Sequence, residues 1–506
     1  MKRIYALAMV GMVCLADVSG CGKNAGNENE GETETYIGES LGENVEDYQL
    51  FPTLDTSFVG DPMPYYEDGV FHIFYLEDLR DGKVGYHPWT LYETSNFYEY
   101  ENRGEVIPYA DSIEKQDIAL GTGSVIKDES GLYHAFYTGH NDTYQPKEAV
   151  MHATSNDMIN WTKIPGDTFY AADTYSKDDF RDPYVLYVEE EKQYWMLVAT
   201  RQDNEGIIAK YTSEDLKTWK DAGVFFKNDM GTDSNLECPS LLQYHGKWYL
   251  SFSDQWPQRQ FHYRVSNTVN GPFEVPEQDV VDGNGFYAGR LESDGENLYV
   301  FGWNGTKNQH LDSEEYAWAG NLVVHQLRQK DNGDLVPVLN TSIKEKMNHE
   351  LSLEPVGMTE TIQKAGDDYT FYGKDYEVVE FKELLGSYLF ECTIKNFKNS
   401  QQFGFAFNMD ENAVGALNIV FNIKENKIEF YNSDEIYNRA PQSDMDMDFE
   451  NIDELNVSML IGDGVVSVYV NDQCALTARM YTSQGKTWGI FGINSCARYE
   501  DVKICK

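Results

Sequence analysis

Positive charge is scarce in this sequence. Its 506 residues include 40 lysines and arginines against 84 aspartates and glutamates, which gives a formal net charge of −44. A surface this acidic repels phosphate backbones and anionic lipid, so nucleic acid and a lipid surface are excluded as the expected partners. A neutral ligand suits such a surface better than a phosphorylated one.

Cysteine and long apolar runs are scarce as well. Five cysteines lie beyond the first 21 residues, and their spacing matches no common metal site. They are Cys238, Cys392, Cys474, Cys496 and Cys505. The last four allow one or two disulfides, but their spacing assigns no pairing. Beyond the N-terminus no segment is apolar for long enough to cross a membrane. We expect neither a metal ion nor a cofactor.

The N-terminus has the pattern of an exported lipoprotein. Lys2 and Arg3 precede a short apolar stretch that ends in VSGC at Cys21, which resembles a bacterial lipoprotein cleavage box. The resemblance implies that residues 1–20 are a signal peptide and that Cys21 carries a lipid. An ordinary signal peptide is the alternative. Residues 21–45 are expected to form a disordered tether. The expected location is extracellular, at the cell surface, with the membrane contacted only through the lipid.

Aromatic strands recur along the chain at nearly constant spacing. They begin at Phe71, Tyr133, Tyr194, Trp248 and Leu298, and a turn signal and another apolar strand precede each one. Units of about 50 to 60 residues that hold four short strands are typical of β-propeller blades. The near absence of helical periodicity argues against an α/β barrel. We therefore predict an all-β fold with a five-bladed β-propeller over residues 46–335; a β-sandwich is the structural alternative.

The composition and the strand pattern of the sequence change past Asn340. Residues 336–349 have the composition of a linker with some helical character. Residues 350–506 alternate and turn like antiparallel strands, so we predict a C-terminal antiparallel β-sandwich. Its expected role is to bury apolar surface against the propeller.

Three acidic residues stand at similar places before the predicted hairpins. A proline directly follows Asp61 and Asp182, and one lies two positions after Glu237. Because the innermost strands of propeller blades begin at one face of the central channel, we expect these carboxyl groups to converge. Glycoside hydrolysis needs two carboxyl groups at the scissile bond, and a third can stabilise the developing positive charge. The alternative is that Asp-Pro and Glu-x-Pro merely begin strands.

Other polar and aromatic residues are candidates for substrate binding. Arg181 is expected to hold the neighbouring aspartate ionised and to bind a sugar hydroxyl. Thr122, Asp254, Trp256 and Trp303 are the remaining candidate contacts, the tryptophans as stacking surfaces. The alternative for both tryptophans is a role in packing.

Two segments resemble the motifs of a known enzyme family. FRDPYVLY from Phe180 and LECPSLL from Leu236 resemble the Arg-Asp-Pro and Glu-Cys-Pro motifs of glycoside hydrolase family 32, the invertases, inulinases and levanases. GFYAGR and VVSVYVND resemble its fifth blade and its C-terminal sandwich. The resemblance implies retaining hydrolysis of β-fructosidic bonds in sucrose or fructans, with Asp61 as nucleophile, Glu237 as acid/base and Asp182 as transition-state stabiliser. The two catalytic carboxyl groups should then lie about 5 to 5.5 Å apart.

The first motif departs from that family. The family has Trp-Met-Asn-Asp-Pro-Asn-Gly where this chain reads FVGDPMP from Phe58. Leu76 stands in place of a sugar-binding glutamine, and Thr122 must serve for a serine. Three other interpretations stay open. One is an inverting arabinosidase or xylosidase of the family 43 type, with Asp61 as base and carboxyl groups about 6.5 to 9.5 Å apart. The others are a non-catalytic surface glycan-binding lipoprotein and a calcium site.

Overall fold

The computed structural model describes residues 48–80, 86–433, 436 and 439–506. Within these ranges the chain is built from strands with one short α-helix, so the all-β prediction is confirmed. No helix in this part of the chain is both long and apolar enough to cross a membrane. The predicted signal peptide, the tether and the lipid site at Cys21 lie outside the described residues.

The first 19 strands form five successive antiparallel units. The first unit contains β1 (Phe58–Glu67), β2 (Val70–Asp78), β3 (Trp89–Thr94) and β4 (Glu101–Ile107). The second contains β5 (Ala119–Lys127), β6 (Tyr133–His140), β7 (Glu148–Ser155) and β8 (Trp161–Lys163). The third contains β9 (Phe180–Val188), β10 (Gln193–Gln202), β11 (Glu205–Ser213) and β12 (Lys220–Lys227). The fourth contains β13 (Leu236–Tyr244), β14 (Lys247–Asp254) and β15 (Phe261–Ser266). The fifth contains β16 (Tyr287–Ser293), β17 (Leu298–Lys307), β18 (Tyr316–Gln329) and β19 (Leu335–Val338).

Tight turns join the first two strands of each unit. Gly69, Gly131, Gly246 and Gly295 have φ values between 79° and 92°, and Lys192 takes the left-handed conformation in the third unit. Glycine adopts this conformation without a steric cost, which explains the turn signals in the sequence. The aromatic strands predicted from the sequence are β2, β6, β10, β14 and β17, so all five hairpins are confirmed.

The first strands of the five units contact one another in a closed order. β1 contacts β5, β5 contacts β9, β9 contacts β13, β13 contacts β16, and β16 contacts β1. The fifth unit also pairs directly with the first, because Val59 in β1 is in register with Gly320 in β18. This order brings residues from all five units to one place.

Two further antiparallel sheets follow the helix α1 (Thr341–Lys346). Their strands are β20 (Glu350–Leu351), β21 (Pro355–Met358), β22 (Gln363–Ala365), β23 (Asp368–Thr370), β24 (Tyr376–Phe381), β25 (Tyr388–Lys395), β26 (Gln402–Met409), β27 (Gly415–Asn422), β28 (Lys427–Tyr431), β29 (Ser443–Asp446), β30 (Glu454–Gly462), β31 (Val465–Val470), β32 (Cys474–Arg479), β33 (Trp488–Ile493) and β34 (Arg498–Cys505). One sheet has the order β22-β23-β34-β25-β30-β31-β32 with β20 beside β34, and the other has the order β21-β24-β33-β26-β27-β28-β29. Both sheets contribute to one apolar core that includes Phe390, Phe405 and Trp488.

Buried polar contacts fix these two sheets to the fifth unit. The imidazole of His325 bonds Asp282 Oδ2 and the Tyr469 hydroxyl, both at 2.9 Å. Arg479 donates to the carbonyl oxygens of Asn304 and Gly305. The five cysteines of the described part are all free thiols, so none of the disulfides that the sequence allowed is formed.

Candidate active site

Five repeated β-bulges build the site. In the first strand of every unit, the pairing with the second strand shifts register directly after one residue. These residues are Gly60, Leu120, Arg181, Glu237 and Tyr287. A bulge inserts one extra residue, bends the strand and turns neighbouring side chains toward one side.

In four of the five units, the residue that follows this position has an unusual backbone. Asp61, Asp182, Cys238 and Ala288 have φ values of 42°, 58°, 52° and 54°, and Gly121 stands at this place in the second unit. A left-handed conformation costs an ordinary L-residue about 1–2 kcal/mol. Backbone strain at the same position in the first strands of four units is typical of a functional site.

The predicted equivalence of the three carboxylates needs a correction. They do not precede the strands but lie inside them, at the bulges. Asp61 and Asp182 occupy the left-handed position, whereas Glu237 stands one residue earlier, at the position of Arg181 and Tyr287 in their units. The three side chains still converge, because both bulge positions face the same cavity.

That cavity has a volume of about 400 Å³. It is lined by Asp61, Leu76, Gly121, Thr122, Arg181, Asp182, Glu237, Cys238, Gln255, Arg259, Tyr287 and Trp318. The structure therefore brings together all three predicted catalytic residues with Arg181 and Thr122. Asp254, Trp256 and Trp303, which were predicted to contact substrate, do not line the cavity.

Two donors hold the half-buried carboxylate of Asp61. The Thr122 hydroxyl donates to Oδ2 at 3.1 Å, and the indole N–H of Trp303 donates to Oδ1 at 3.0 Å. Trp303 thus holds a carboxylate of the cavity, and its stacking on a sugar stays a prediction. Burial raises the pKa of Asp61 to about 7; the charge of Asp182 adds to the rise, and the Trp303 bond opposes it.

Asp182 is almost completely buried. The backbone N–H of Cys238 donates to Asp182 Oδ2 at 2.9 Å. The backbone N–H of Asp182 donates to the Thr138 hydroxyl at 2.9 Å. Burial and the charge of Glu237 raise the pKa of Asp182, while Arg181 and Arg290 oppose the rise. These two hydrogen bonds fix the position of the Asp182 backbone and of its carboxylate.

Glu237 receives donors on both oxygens. Arg181 donates to Oε1 through Nε at 3.2 Å and Nη2 at 3.1 Å, and the Tyr287 hydroxyl donates to Oε2 at 2.7 Å. The sequence prediction paired Arg181 with Asp182; its charge opposes the rise in the pKa of that aspartate, but its hydrogen bonds inside the cavity go to Glu237 and Gln255. Burial and the glutamate charge raise the pKa of Tyr287, so its hydroxyl stays a donor.

Asp254 and Trp256 have structural contacts instead. The Asp254 carboxylate accepts the backbone N–H of Gln260 at 2.6 Å and faces His262. The indole of Trp256 donates to Asp233. Both therefore shape the loop that carries Gln255 and Arg259 into the cavity.

Sequence reasoning missed two residues of the cavity wall. Tyr287 holds Glu237, and the guanidinium of Arg259 lies 4.7 Å from the centre of the Tyr287 ring. The segment GFYAGR carried a signal for the first, because Tyr287 occupies the bulge position of Glu237 in its unit. No sequence signal distinguishes Arg259 from a surface arginine.

One wall of the cavity is apolar. Leu76 and Trp318 line it, and the Trp318 ring stacks on His87 with the ring centres 4.4 Å apart. A Cβ atom at Gly60 would lie 2.5 Å from the Trp318 ring, so only glycine admits the ring at this place. Gly60, which contacts this wall, and Leu76, which lines it, are two of the positions at which the chain departs from the family pattern.

Metal binding has no support in the described part of the chain. No group of three histidine, cysteine, aspartate or glutamate side chains there is placed to hold a metal ion. The carboxylates of the cavity instead face two arginines and neutral donors.

Comparison with known proteins gives a consistent result. Residues 54–338 match the model of the glycosyl hydrolases family 32 N-terminal domain. The chain is 26% identical to a sucrose-6-phosphate hydrolase of Escherichia coli over 53% of its own length and 58% of that protein. It is also 26% identical to a levanase of Bacillus subtilis, over 72% of its length and 56% of that protein. The chain thus spans little more than half of these relatives.

Solved structures share the fold at low sequence identity. Fructan 1-exohydrolase IIa from Cichorium intybus superimposes with a TM-score of 0.70 at 16% identity, over 91% of this chain and 96% of that one. Sucrose-6-phosphate hydrolase from Lactobacillus gasseri gives 0.68 at 18% identity, over 89% and 91% of the two chains.

Proposed function

We propose that this chain, which belongs to glycosyl hydrolase family 32, hydrolyses β-fructosidic bonds of sucrose or a fructan. The observation that carries the proposal is the convergence of Asp61, Asp182 and Glu237 in one cavity of about 400 Å³. Binding alone does not need carboxyl groups brought together in one cavity, whereas glycoside hydrolysis needs two of them at the scissile bond and can use a third to stabilise the developing positive charge. The sucrose and levan hydrolases among the relatives support a saccharide substrate.

The proposed reaction is a retaining double displacement. Asp61 attacks the anomeric carbon, and Glu237 gives a proton to the leaving oxygen. Water activated by Glu237 then releases the sugar from Asp61. Asp182 stabilises the positive charge that develops in both steps. Three close carboxyl groups repel one another when all are ionised, which favours the one retained proton that this chemistry needs.

The hydrogen bonds of the site support these roles. Thr122 and Trp303 fix both oxygens of Asp61, so its carboxylate keeps one orientation. Arg181 and Tyr287 do the same for Glu237, which must first protonate the leaving oxygen and then take a proton from the attacking water. A positioned nucleophile and a positioned proton donor lower the entropic part of the barrier.

We also propose the finer architecture predicted from the sequence. The five units are blades of a propeller over residues 46–335, and residues 350–506 form a β-sandwich. The closed order of contacts among β1, β5, β9, β13 and β16 supports the propeller. The common core of the two C-terminal sheets supports the sandwich.

The stereochemistry of hydrolysis tests the mechanism. The purified chain is incubated with sucrose, inulin and levan, and with arabinan and xylan oligosaccharides, while proton NMR follows the first sugar released. We expect free fructose that appears first as the β anomer. A pentose of inverted configuration would assign Asp61 as a base instead of a nucleophile. No release from any substrate would leave a glycan-binding protein.

The N-terminal pattern supports a further part of the proposal, attachment to the outside of the cell through a lipid on Cys21. The test is metabolic labelling with radioactive palmitate in a bacterial host. We expect label in the wild-type protein and none after Cys21→Ala. Equal labelling of both proteins would remove the proposal.

A further inference from the structure

One guanidinium at the edge of the cavity contacts three carboxylates. Arg181 donates to Glu237 Oε1 through Nε at 3.2 Å and through Nη2 at 3.1 Å. Its remaining nitrogen, Nη1, donates to Asp179 Oδ1 at 3.0 Å and to Glu148 Oε2 at 3.4 Å. Of these three carboxylates only Glu237 lines the cavity. A single positive charge is therefore divided between the proposed acid and two carboxylates behind it.

Glu148 acts on Arg181 from the neighbouring unit. It begins β7, and its side chain is buried. Its Oε2 also accepts the backbone N–H of Phe180 at 2.6 Å, directly before Arg181 in the chain. Its Oε1 lies 3.5 Å from Nδ1 of His140. The carboxylate thus holds the backbone just before the bulge of β9 and faces the guanidinium at the same time.

This division matters because of the proton that the proposed reaction requires on Glu237. An arginine paired with one carboxylate alone favours the ionised form of that carboxylate. A general acid must instead carry a proton when the substrate binds. Glu148 and Asp179 compete with Glu237 for the charge of Arg181, and their own negative charges disfavour another one nearby. Both effects favour a protonated Glu237.

The groups that face this cluster come from all five units. The titratable and charged ones around Arg181 and Glu237 are Asp61 from β1, His140 from β6 with its partner Asp142, Glu148 from β7, Asp179 from the segment before β9, Asp182 from β9, Arg201 from β10, Cys238 from β13, Arg259 from the loop after β14, and Tyr287 and Arg290 from β16. Arg259 lies over the Tyr287 ring and Arg290 donates to a backbone carbonyl, whereas Arg181 donates to Glu237 itself. Arg259 and Arg290 are unchanged in every variant below, so each comparison contains both charges.

We infer that Glu148 and Asp179 are positioning residues that divide the Arg181 guanidinium and so leave Glu237 able to hold the proton that it gives to the leaving oxygen. The inference rests on the proposed function, in which Glu237 is the acid. Glu148 and Asp179 touch no substrate in this assignment, since neither lines the cavity. They act through Arg181.

The first test is the pH dependence of kcat/KM. Glu148→Gln removes the charge but keeps an oxygen that can accept the Phe180 N–H. We expect its basic limb, which reports the proton on the acid, to move downward by about 0.5–1 pH unit. The double variant with Asp179→Asn should move it further, and Glu148→Asp, which keeps the charge, should keep the limb of the wild type. All are also measured in a His140→Gln background, which removes the titration of that imidazole.

The matched control for this test is Glu377→Gln. Glu377 is a buried glutamate of the C-terminal sheets that accepts the backbone N–H groups of Tyr372 and Gly373. Its replacement removes a buried charge far along the chain from Arg181, so we expect a loss of stability without a shift of the basic limb.

A second test needs no substrate and therefore separates failure of this inference from failure of the proposed function. Urea unfolding at pH 8 is measured for Glu148→Gln, Glu237→Gln and the double variant. Glu237→Gln leaves Arg181 two other carboxylates in the wild type but only Asp179 when Glu148 is absent. It should therefore lower the urea midpoint more in the Glu148→Gln background than in the wild type, whereas its effect should be additive with that of Glu377→Gln. This coupling in a protein that hydrolyses no fructoside would support the division of charge and refute the proposed function.

Two results would overturn the inference. One is a basic limb of Glu148→Gln that stays at the position of the wild type or moves upward. The other is an additive effect of Glu148→Gln and Glu237→Gln on the urea midpoint. Should Glu148→Gln not fold, Asp179→Asn takes its place in both measurements, because the side chain of Asp179 is only half-buried.

Discussion

Replacement of the proposed nucleophile should stabilise the protein while it abolishes turnover. Burial raises the pKa of Asp61 from 3.8 to about 7. A raised pKa means that the folded state holds a proton that the unfolded state releases, so stability is present below pH 3.8 and is lost as pH rises toward 7. At 1.36 kcal/mol per pH unit, this rise corresponds to about 4 kcal/mol above pH 7. Asp61→Asn removes that loss.

We expect Asp61→Asn to exceed the wild type by about 2–4 kcal/mol at pH 8, since Asp182 and Glu237 share part of the repulsion. At pH 4 the two proteins should be nearly equal. Urea unfolding at pH 4, 6 and 8 measures the difference. The control is Asp254→Asn: the pKa of Asp254 is lowered and Asp254 raises the pKa of His262, so this variant should lose stability at both pH values, and more at pH 6 than at pH 8. An Asp61→Asn protein that is less stable than the wild type at pH 8 would refute the reasoning.

Three further predictions concern the cavity wall and the acid. Trp303→Phe removes a donor to Asp61 and should move the acid limb of kcat/KM upward by about 0.5–1 pH unit, measured in pH-rate profiles. Gly60→Ala places a Cβ atom 2.5 Å from the Trp318 ring and should raise KM about tenfold or more with a smaller change in kcat, measured by steady-state kinetics. Glu237→Gln should lower kcat by about 10²–10⁴-fold at an unchanged Tm, measured by initial rates and calorimetry.

Matched variants make these outcomes decisive. Trp161 donates its indole N–H to the carbonyl of Met158, so Trp161→Phe should leave the pH profile unchanged. A Cβ atom at Gly166 meets no atom within 4 Å, so Gly166→Ala should leave KM unchanged. Equal effects in test and control variants would remove the specific roles, as would a Glu237→Gln enzyme of full activity.

The sequence predicted the repeat well because local chemistry sets it. A glycine or polar turn between two aromatic runs requires no distant partner, and every predicted hairpin is present. The convergence of Asp61, Asp182 and Glu237 followed from the repeat itself. The offset of Glu237 by one residue had a signal as well, because its proline lies two positions after it and not directly after it. The register shift itself depends on pairing with the second strand and leaves no composition signal.

Contacts between units were harder to predict than contacts within them. Arg181 stands beside Asp182 in the sequence, yet the bulge sends neighbouring side chains to different partners, and its guanidinium reaches Glu237. Trp303 belongs to the second strand of its unit, so its bond to Asp61 joins residues 242 positions apart. Sequence proximity is a poor guide wherever a bulge separates two adjacent side chains.

Two kinds of feature meet at this site, and they tolerate change differently. The bulges that aim the carboxylates depend on backbone pairing, which many side chains satisfy. The wall that a sugar would touch depends on side chains alone, and here Gly60, Leu76 and Trp318 make part of it apolar. Asp61 keeps its place because Trp303 and Thr122 hold it from other units. The catalytic geometry can therefore persist while the first motif diverges, and we expect the bound sugar to present C–H surface to this wall.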